Sequence, residues 1–293
     1  MSWHLGPMLA YDCETTGVDV EADRIVTAAV VMIEPGAAPQ IRSTVINPGV
    51  DVPDAAAEVH GWTTERVQAE GKPPAAEVAW IVNALAGAVT AGVPLVVANA
   101  PYDLTLLDRE ARRHGLPTVT DRLNGATLSP VIDPMVIDKA LDRYRPGKRK
   151  LTDLCATYGA LIDNAHDCTA DALAAARVAY RLGQRAQQAT SHAMSVADIY
   201  RDRRYPERIV RGFQEFGKLT LAELHDAQVG WYAEQAKGLA AYWLRQANEL
   251  EYRAGRAGDD AERATLTQDA ADLRARADGV SVEWPIRPFG GAR

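Results

Sequence analysis

Asp12 and Glu14, two carboxylates separated only by Cys13, follow a short apolar run at Met8–Tyr11 in a chain of 293 residues. If the run is a strand that carries on through the acids, side chains alternate: Asp12 and Glu14 share one face, and Cys13 points the other way into the core. Two carboxylates held side by side repel each other unless a cation lies between them, and a divalent metal is the usual solution. An Asp-x-Glu pair alone says little, because such pairs are common on solvated strand faces. More acids in suitable contexts change that. Asp103 closes the stretch Asn99-Ala100-Pro101-Tyr102-Asp103, just past an apolar run where the chain turns into a helix. His166 and Asp171 stand five residues apart at the head of the helical stretch through Ala172–Leu182.

The elements that must position these groups follow from periodicity and breakers. Met8–Tyr11, Arg24–Glu34 and Ile41–Asn47, linked by turns at Thr16–Gly17 and Pro35–Pro39, read as an antiparallel meander. Helical patterns follow: Asp54 is expected to cap Ala55–His60, Thr63 to cap Thr64–Ala69, and Pro74 to open a helix ending near Ala91. Short strands at Leu95–Val97 and Val131–Ile132 then alternate with helices, one of them from about Leu104 to His114, up to about Ala189. Strands first and alternating units afterwards predict an α/β fold, a mixed sheet flanked by helices. Residues 190–293 carry no strand signal; Leu219 to about Ala254 and about Asp259–Ala277, joined by Gly255–Gly258, predict a helical hairpin as a C-terminal extension to a first domain of residues 1–189. Gly230 and Gly238 weaken the first of these helices, and Trp231, Tyr242 and Trp243 read as packing residues rather than base-stacking ones.

With these residues in place, the chain resembles the DEDDh family of 3′–5′ exonucleases, the DnaQ-like group that includes proofreading subunits of bacterial DNA polymerases and has a ribonuclease-H-like fold. The family's first motif, Asp-x-Glu-Thr-Thr-Gly, matches Asp12–Gly17; its second, Asn-Ala-x-(Phe/Tyr)-Asp, matches Asn99–Asp103; its third, His-x-x-x-x-Asp, matches His166–Asp171. Asn47-Pro48-Gly49 and Val59-His60-Gly61 resemble the stretch that precedes and lines the nucleotide pocket in proofreading members. The resemblance covers roughly residues 7–187. The family often has His before the Asn-Ala, where this chain has Ala98, a position outside the five catalytic ones.

The resemblance implies hydrolysis of phosphodiester bonds from the 3′ end of single-stranded or frayed DNA, releasing nucleoside 5′-monophosphates. Two divalent ions about 4 Å apart, Mg²⁺ or Mn²⁺, suit that chemistry, because they serve the attacking water, the crowded phosphoryl anion and the leaving alkoxide together. Asp12 is then the bridging ligand, Glu14 and Asp171 hold the first ion, and Asp103 supports the second. His166 is the general base, since the ordinary imidazole pKa of about 6.5 leaves a neutral acceptor at pH 7. Thr15, Thr16 and Gly17 form a turn whose N–H groups approach a sugar or phosphate, with Gly17 permitting the approach. His60, Asn99 and Tyr102 complete the expected substrate contacts, and Trp62 is a further ring that could pack on a base or sugar. His4, His114, His192 and His225 read as structural or exposed.

A net charge of −7, from 32 Lys and Arg against 39 Asp and Glu, excludes a uniformly basic nucleic-acid coat but not a local patch. Arg143, Arg145, Lys148, Arg149 and Lys150 form a segment free of acids around Pro146-Gly147; Arg149 and Lys150 in particular are expected to track substrate phosphates. The second basic cluster, Arg201 to Arg211, is diluted by Asp198, Asp202 and Glu207 and reads as an exposed helix face or connecting segment. Three cysteines without paired spacing argue against a disulfide framework or structural zinc. No basic-then-apolar leader precedes the first motif, and Gly92 and Pro94 break the charge-free stretch Val78–Tyr102, so the reading is cytoplasmic, without a membrane span. Nucleic acid is the expected partner, RNA ends being the alternative substrate. The helical extension is where a DNA polymerase or another replication or repair protein would dock, and a non-catalytic binding module is the competing class.

Overall fold

The computed structural model describes residues 3–163, 166–191 and 195–290; His192 lies outside them. Strands β1 (Met8–Thr15), β2 (Ile25–Ile33) and β3 (Gln40–Val45) lead into helices α1 (Asp54–His60), α2 (Thr64–Glu70) and α3 (Pro74–Thr90). Strand β4 (Leu95–Val96), α4 (Ala100–Arg113), α5 (Val119–Arg122), β5 (Val131–Ile132) and α6 (Pro134–Leu141) follow. The chain ends in α7 (Leu151–Tyr158), α8 (Cys168–Thr190), α9 (Ser195–Ile199), α10 (Pro206–Phe216), α11 (Leu221–Ala254) and α12 (Asp260–Asp278). No described helix is long and apolar enough to cross a membrane.

The sheet has the order β3-β2-β1-β4-β5, antiparallel over the meander and parallel for β1-β4 and β4-β5. β1 is therefore central, and it runs four residues beyond the apolar run that announces it. That extra length carries Asp12 opposite Ala29 and Glu14 opposite Thr27, small partners that leave room at the carboxylates, before a register shift between Glu14 and Thr15. Tyr11 and Cys13 are buried while Asp12 and Glu14 are half-buried, the alternation expected of a strand. Helix α8 packs across the sheet on a face of Ala172, Ala175, Ala176, Ala179 and Gly183; at Gly183 the ring of His4 occupies the space a Cβ would need. Small residues let the helix lie close, which brings Asp171 in its first turn to the end of β1.

Three local expectations change. Asp54 is the first helical residue of α1 rather than its cap; Pro53 holds the cap position without a side-chain bond. Helix α4 starts at Ala100, earlier than its apolar period suggests, because the Asp133 carboxylate accepts from Asn99 N (3.3 Å) and Ala100 N (2.9 Å) as well as from Met135 N (2.9 Å). One buried carboxylate thus satisfies the exposed donors of two helix N-termini, α4 and α6. The early start puts Asp103 in the first turn of α4. Helix α11 runs unbroken through Gly230 and Gly238.

The chain forms two compact units, one up to Gln228 and one from Val229 on. Helices α9 and α10 pack with α8, and the first turns of α11 bond to β5: His225 Nδ1 accepts from Val131 N, while Gln228 accepts from Asp133 N at 2.7 Å and donates to Val131 O at 2.9 Å. The first unit is therefore longer than the predicted 1–189, since residues past 190 cover the β5 edge. In the second unit, Arg274 forks onto Glu251 and Asn248, joining α11 to α12 as a hairpin. Tyr242 is 49% exposed there rather than packed.

The basic segment is partly internal. Arg145 is buried with Nη2 2.9 Å from Asp138 Oδ2, Arg149 Nη1 bonds the same oxygen, and Tyr158 donates to Asp138 Oδ1 at 2.8 Å. Arg149 also donates to Asp142 O at 2.6 Å, so its guanidinium neutralises a buried acid and is not free to track phosphate, contrary to the sequence expectation. Lys150 stays exposed at the start of α7. Asp138→Ala leaves two guanidiniums without their shared anion and is expected to destabilise the fold by about 3–5 kcal/mol in a urea titration. Gln228→Leu, which strands Asp133 N and Val131 O, is expected to cost about 1–3 kcal/mol in the same measurement.

Candidate active site

Four carboxylates from three elements meet at the carboxyl end of β1: Asp12 and Glu14 from the strand, Asp103 from α4 and Asp171 from α8. Burial, followed by the charges of Asp103, Asp171 and Glu14, holds the Asp12 carboxyl well above the ordinary range. Glu14 is pushed up to about 8, first by burial, then by Asp171 and Asp103. Asp103 is raised by burial against the opposing pull of its hydrogen bonds from Cys13 N and Cys13 Sγ, both 3.2 Å from Oδ1. Asp171 is also raised, mainly by burial. Among the described residues no Lys or Arg forms an ion pair with any of the four. The site is a pocket of uncompensated negative charge.

Glu14, His166 and Asp171 are the tightest set, with one ligand-capable atom from each within 4.8 Å of the others. Asp12 and Asp103 lie outside that set but are coupled to it through charge. His166 takes a left-handed backbone conformation (φ +70°), its N–H donates to Asp171 Oδ2 at 3.2 Å, and its side chain is exposed at the rim. Asp167 caps α8 by accepting from Thr169 N and Ala170 N. Asp171 Oδ1 is buried with no hydrogen-bond partner, an acceptor that the protein itself leaves unfilled.

The expected substrate residues divide. His60 lines a cleft of about 700 Å³ together with Thr27, Thr44, Trp62, Lys72 and His166. Trp62 N donates to His60 Nδ1, which leaves the proton on Nε2, 3.2 Å from Thr15 O. Trp62, partly buried, packs on the Val26–Val52–Val67 cluster with the Arg66 guanidinium 4.0 Å from its ring centroid, and it remains part of the cleft lining. Tyr102 is tied down as well: its hydroxyl bonds Thr15 Oγ1 (2.6 Å) and Gly17 O. Asn99 contributes its αL backbone (φ +62°) and its N–H to Asp133, the conformation that lets β4 turn sharply into α4. Gly17 has a different reason from the one expected. A Cβ there would fall 2.5 Å from the Asp23 carboxylate, which accepts from Thr16 Oγ1 and Asp19 N.

Sequence reasoning missed the residues that hold this turn and helix α4. Arg109 Nη2 reaches Glu21 at 2.8 Å, Arg113 donates to Asp23 O at 2.9 Å, and Asp133 fixes the start of the helix. The only available signal was the charge-rich run Asp108-Arg109-Glu110 after the apolar Leu104–Leu107 turn of the helix, a run whose members are all buried.

A profile of the Exonuclease family RNase T matches residues 9–179. A DNA polymerase III subunit epsilon-like protein of Rhodobacter capsulatus is 35% identical over 127 residues, covering 42% of this chain and 17% of that protein. DNA polymerase III PolC-type of Lacticaseibacillus paracasei is 25% identical over 195 residues, 67% of this chain and 12% of that protein. The chain thus spans less than a fifth of either relative. The zinc-bound E. coli ExoI–ssDNA complex superposes with a TM-score of 0.53 at 18% identity, over 66% of this chain and 43% of that one. E. coli exonuclease I with a dT13 oligonucleotide gives 0.51 at 17%, over 67% and 45%. At such identities these structures show a shared fold. Because the family profile spans more than half of the chain, including Asp12, Glu14, Asp103, His166 and Asp171, the protein belongs to the RNase T exonuclease family, whose DnaQ-like members hydrolyse phosphodiester bonds.

Proposed function

We propose that this chain is a metal-dependent 3′–5′ exonuclease acting on single-stranded or frayed DNA. The observation that carries the reading is the convergence of four raised carboxylates with, among the described residues, no Lys or Arg paired to them, beside an exposed imidazole. Support for a DNA end comes from the relatives named as DNA polymerase III components and from the exonuclease I complexes with single-stranded DNA.

The donor set fits two divalent ions. It is all oxygen apart from His166, it carries excess negative charge, and Asp171 Oδ1 is an unfilled buried acceptor. Asp12, Glu14, Asp103 and Asp171 would hold Mg²⁺ or Mn²⁺. Bound there, such ions supply Lewis-acid stabilisation of phosphoryl charge and make water a stronger acid. The chain's own groups do the rest. His166, exposed beside Glu14 and Asp171, takes the proton of the attacking water as general base. The Thr15–Gly17 turn, fixed by Tyr102 and Asp23, and the cleft bounded by His60 and His166 receive the terminal nucleotide. Tyr102 acts by positioning the turn.

Incubated with 5′-labelled single-stranded DNA and Mg²⁺ or Mn²⁺, the protein is expected to yield a ladder shortening from the 3′ end. Asp12→Asn is expected to abolish it, and His166→Ala to slow it by about 10²–10⁴-fold without loss of fold. No metal-dependent hydrolysis of DNA, or of RNA run in parallel, would sink the enzyme reading. A second prediction concerns stability. A carboxyl raised in the folded state stabilises below its unfolded value and loses that contribution as pH rises through the folded one. The metal-free protein should therefore lose Tm between about pH 4.3 and the Glu14 value of about 8. Glu14→Gln should melt above wild type at pH 8 and level with it at pH 5, and Mg²⁺ should raise the wild-type Tm more at pH 8. Equal melting of the two proteins at pH 8 would refute the charge argument.

A further inference from the structure

Two basic segments far apart in the sequence meet in the first unit. Arg203 Nε pairs with Asp142 Oδ2 at 3.6 Å, Ile209 is buried, and Gly212 of α10 lies so close to the end of α6 that a Cβ would sit 3.3 Å from Leu141 Cδ2. At this junction Tyr144 and Tyr205 stand edge to face with centroids 5.3 Å apart, 49% and 41% exposed. The Arg204 guanidinium is 5.2 Å from the Tyr205 ring and 6.0 Å from the Tyr144 ring, and that of Arg208 is 5.6 Å from Tyr144.

The charges around the rings are unbalanced. Arg201 pairs with Asp198 and Arg203 with Asp142, but among the described residues no carboxylate comes within ion-pair distance of Arg143, Arg204, Arg208 or Arg211. Asp202 and Glu207 are the remaining acids of the segment. Arg204 and Arg208 lie over two half-exposed rings, with Arg143 lining the same crevice, and they gain little stability from one another because like charges repel. An incoming polyanion relieves that repulsion, and guanidinium forks match phosphate geometry. Rings open on one side stack with unpaired bases, which present free faces that a duplex hides.

We propose that this Tyr–Arg surface is a binding site for single-stranded DNA, with phosphates on Arg143, Arg204 and Arg208 and bases on Tyr144 and Tyr205. The proposal extends the exonuclease reading but does not need hydrolysis. The site uses the exposed part of the basic loop, whereas the arginines turned inward to Asp138 hold that loop in place.

The test is fluorescence anisotropy of a labelled single strand of about 25 nucleotides in EDTA across a salt series. The pair Arg204→Glu/Arg208→Glu is expected to weaken binding about tenfold or more and to reduce the slope of log K against log salt by about 1.4, for two phosphates at ~0.7 each. Tyr144→Ala/Tyr205→Ala is expected to weaken binding about tenfold with the slope unchanged. If the charge reversal lowers Tm, Arg204→Gln/Arg208→Gln replaces it, with the same direction expected. Wild-type affinity and slope in these variants would overturn the proposal. So would an equal loss on blunt duplex DNA, or a loss confined to an acidic peptide. Because EDTA removes hydrolysis, a protein that binds here but cuts nothing would refute the exonuclease reading alone.

Discussion

Mutual repulsion among Asp12, Glu14, Asp103 and Asp171 is the constraint around which the first unit is built. Left to relax, four carboxylates would move apart or out into water. The fold denies them both escapes: two sit on the central strand of the sheet, and the other two sit in the first turns of helices packed against it. The strain is balanced by burial elsewhere, in the largely apolar contacts of β1, β2 and the alanine face of α8. A site so arranged is pre-organised for cations, because the cost of gathering the ligands is met by folding and not at the moment of binding.

Helix α4 shows how the positions are enforced. Asp133 fixes its start, Arg109 and Arg113 fix its later turns to residues 21–23, and Tyr102 ties it to the end of β1. These bonds join segments separated by 33 to 92 residues. Asp103 is thereby held in two directions, along the helix and across to the strand, where Cys13 completes its bonds. Gln228 extends the chain of contacts by fixing the backbone of Asp133 itself, so α11 contributes to the same framework.

The groups that do chemistry were legible in the sequence because they come in short motifs with fixed spacing, and strand alternation alone put Asp12 and Glu14 on one face. The meander and the two short parallel strands were legible from apolar runs between breakers. What holds them was not. Asp133 and Asp138 look like ordinary surface acids until their partners, 7 to 95 residues away by the chain, are known to surround them; Arg149 looked like a free cation for the same reason. Charge counts record signs but not pairings. The boundary after residue 189 followed the last strand signal, yet α9, α10 and the start of α11 still pack on the first unit, because covering a sheet edge needs no strand of its own. Gly17 was read by its permissiveness, whereas its want of a side chain makes room for Asp23.

Cys13 carries a consequence of another kind. Its thiol touches Asp103, and burial followed by the charges of Asp103 and Asp12 pushes its pKa well above the usual thiol value. Oxidants and soft metals attack the thiolate, and the same crowd of carboxylates that invites hard cations suppresses that form. Cys155 and Cys168, both buried, are likewise raised, to about 11 and about 12. Burial, reinforced by the negative field of the site, therefore acts as a chemical filter: the acids favour oxygen-seeking ions while the sulfur beside them stays protonated and slow to oxidise.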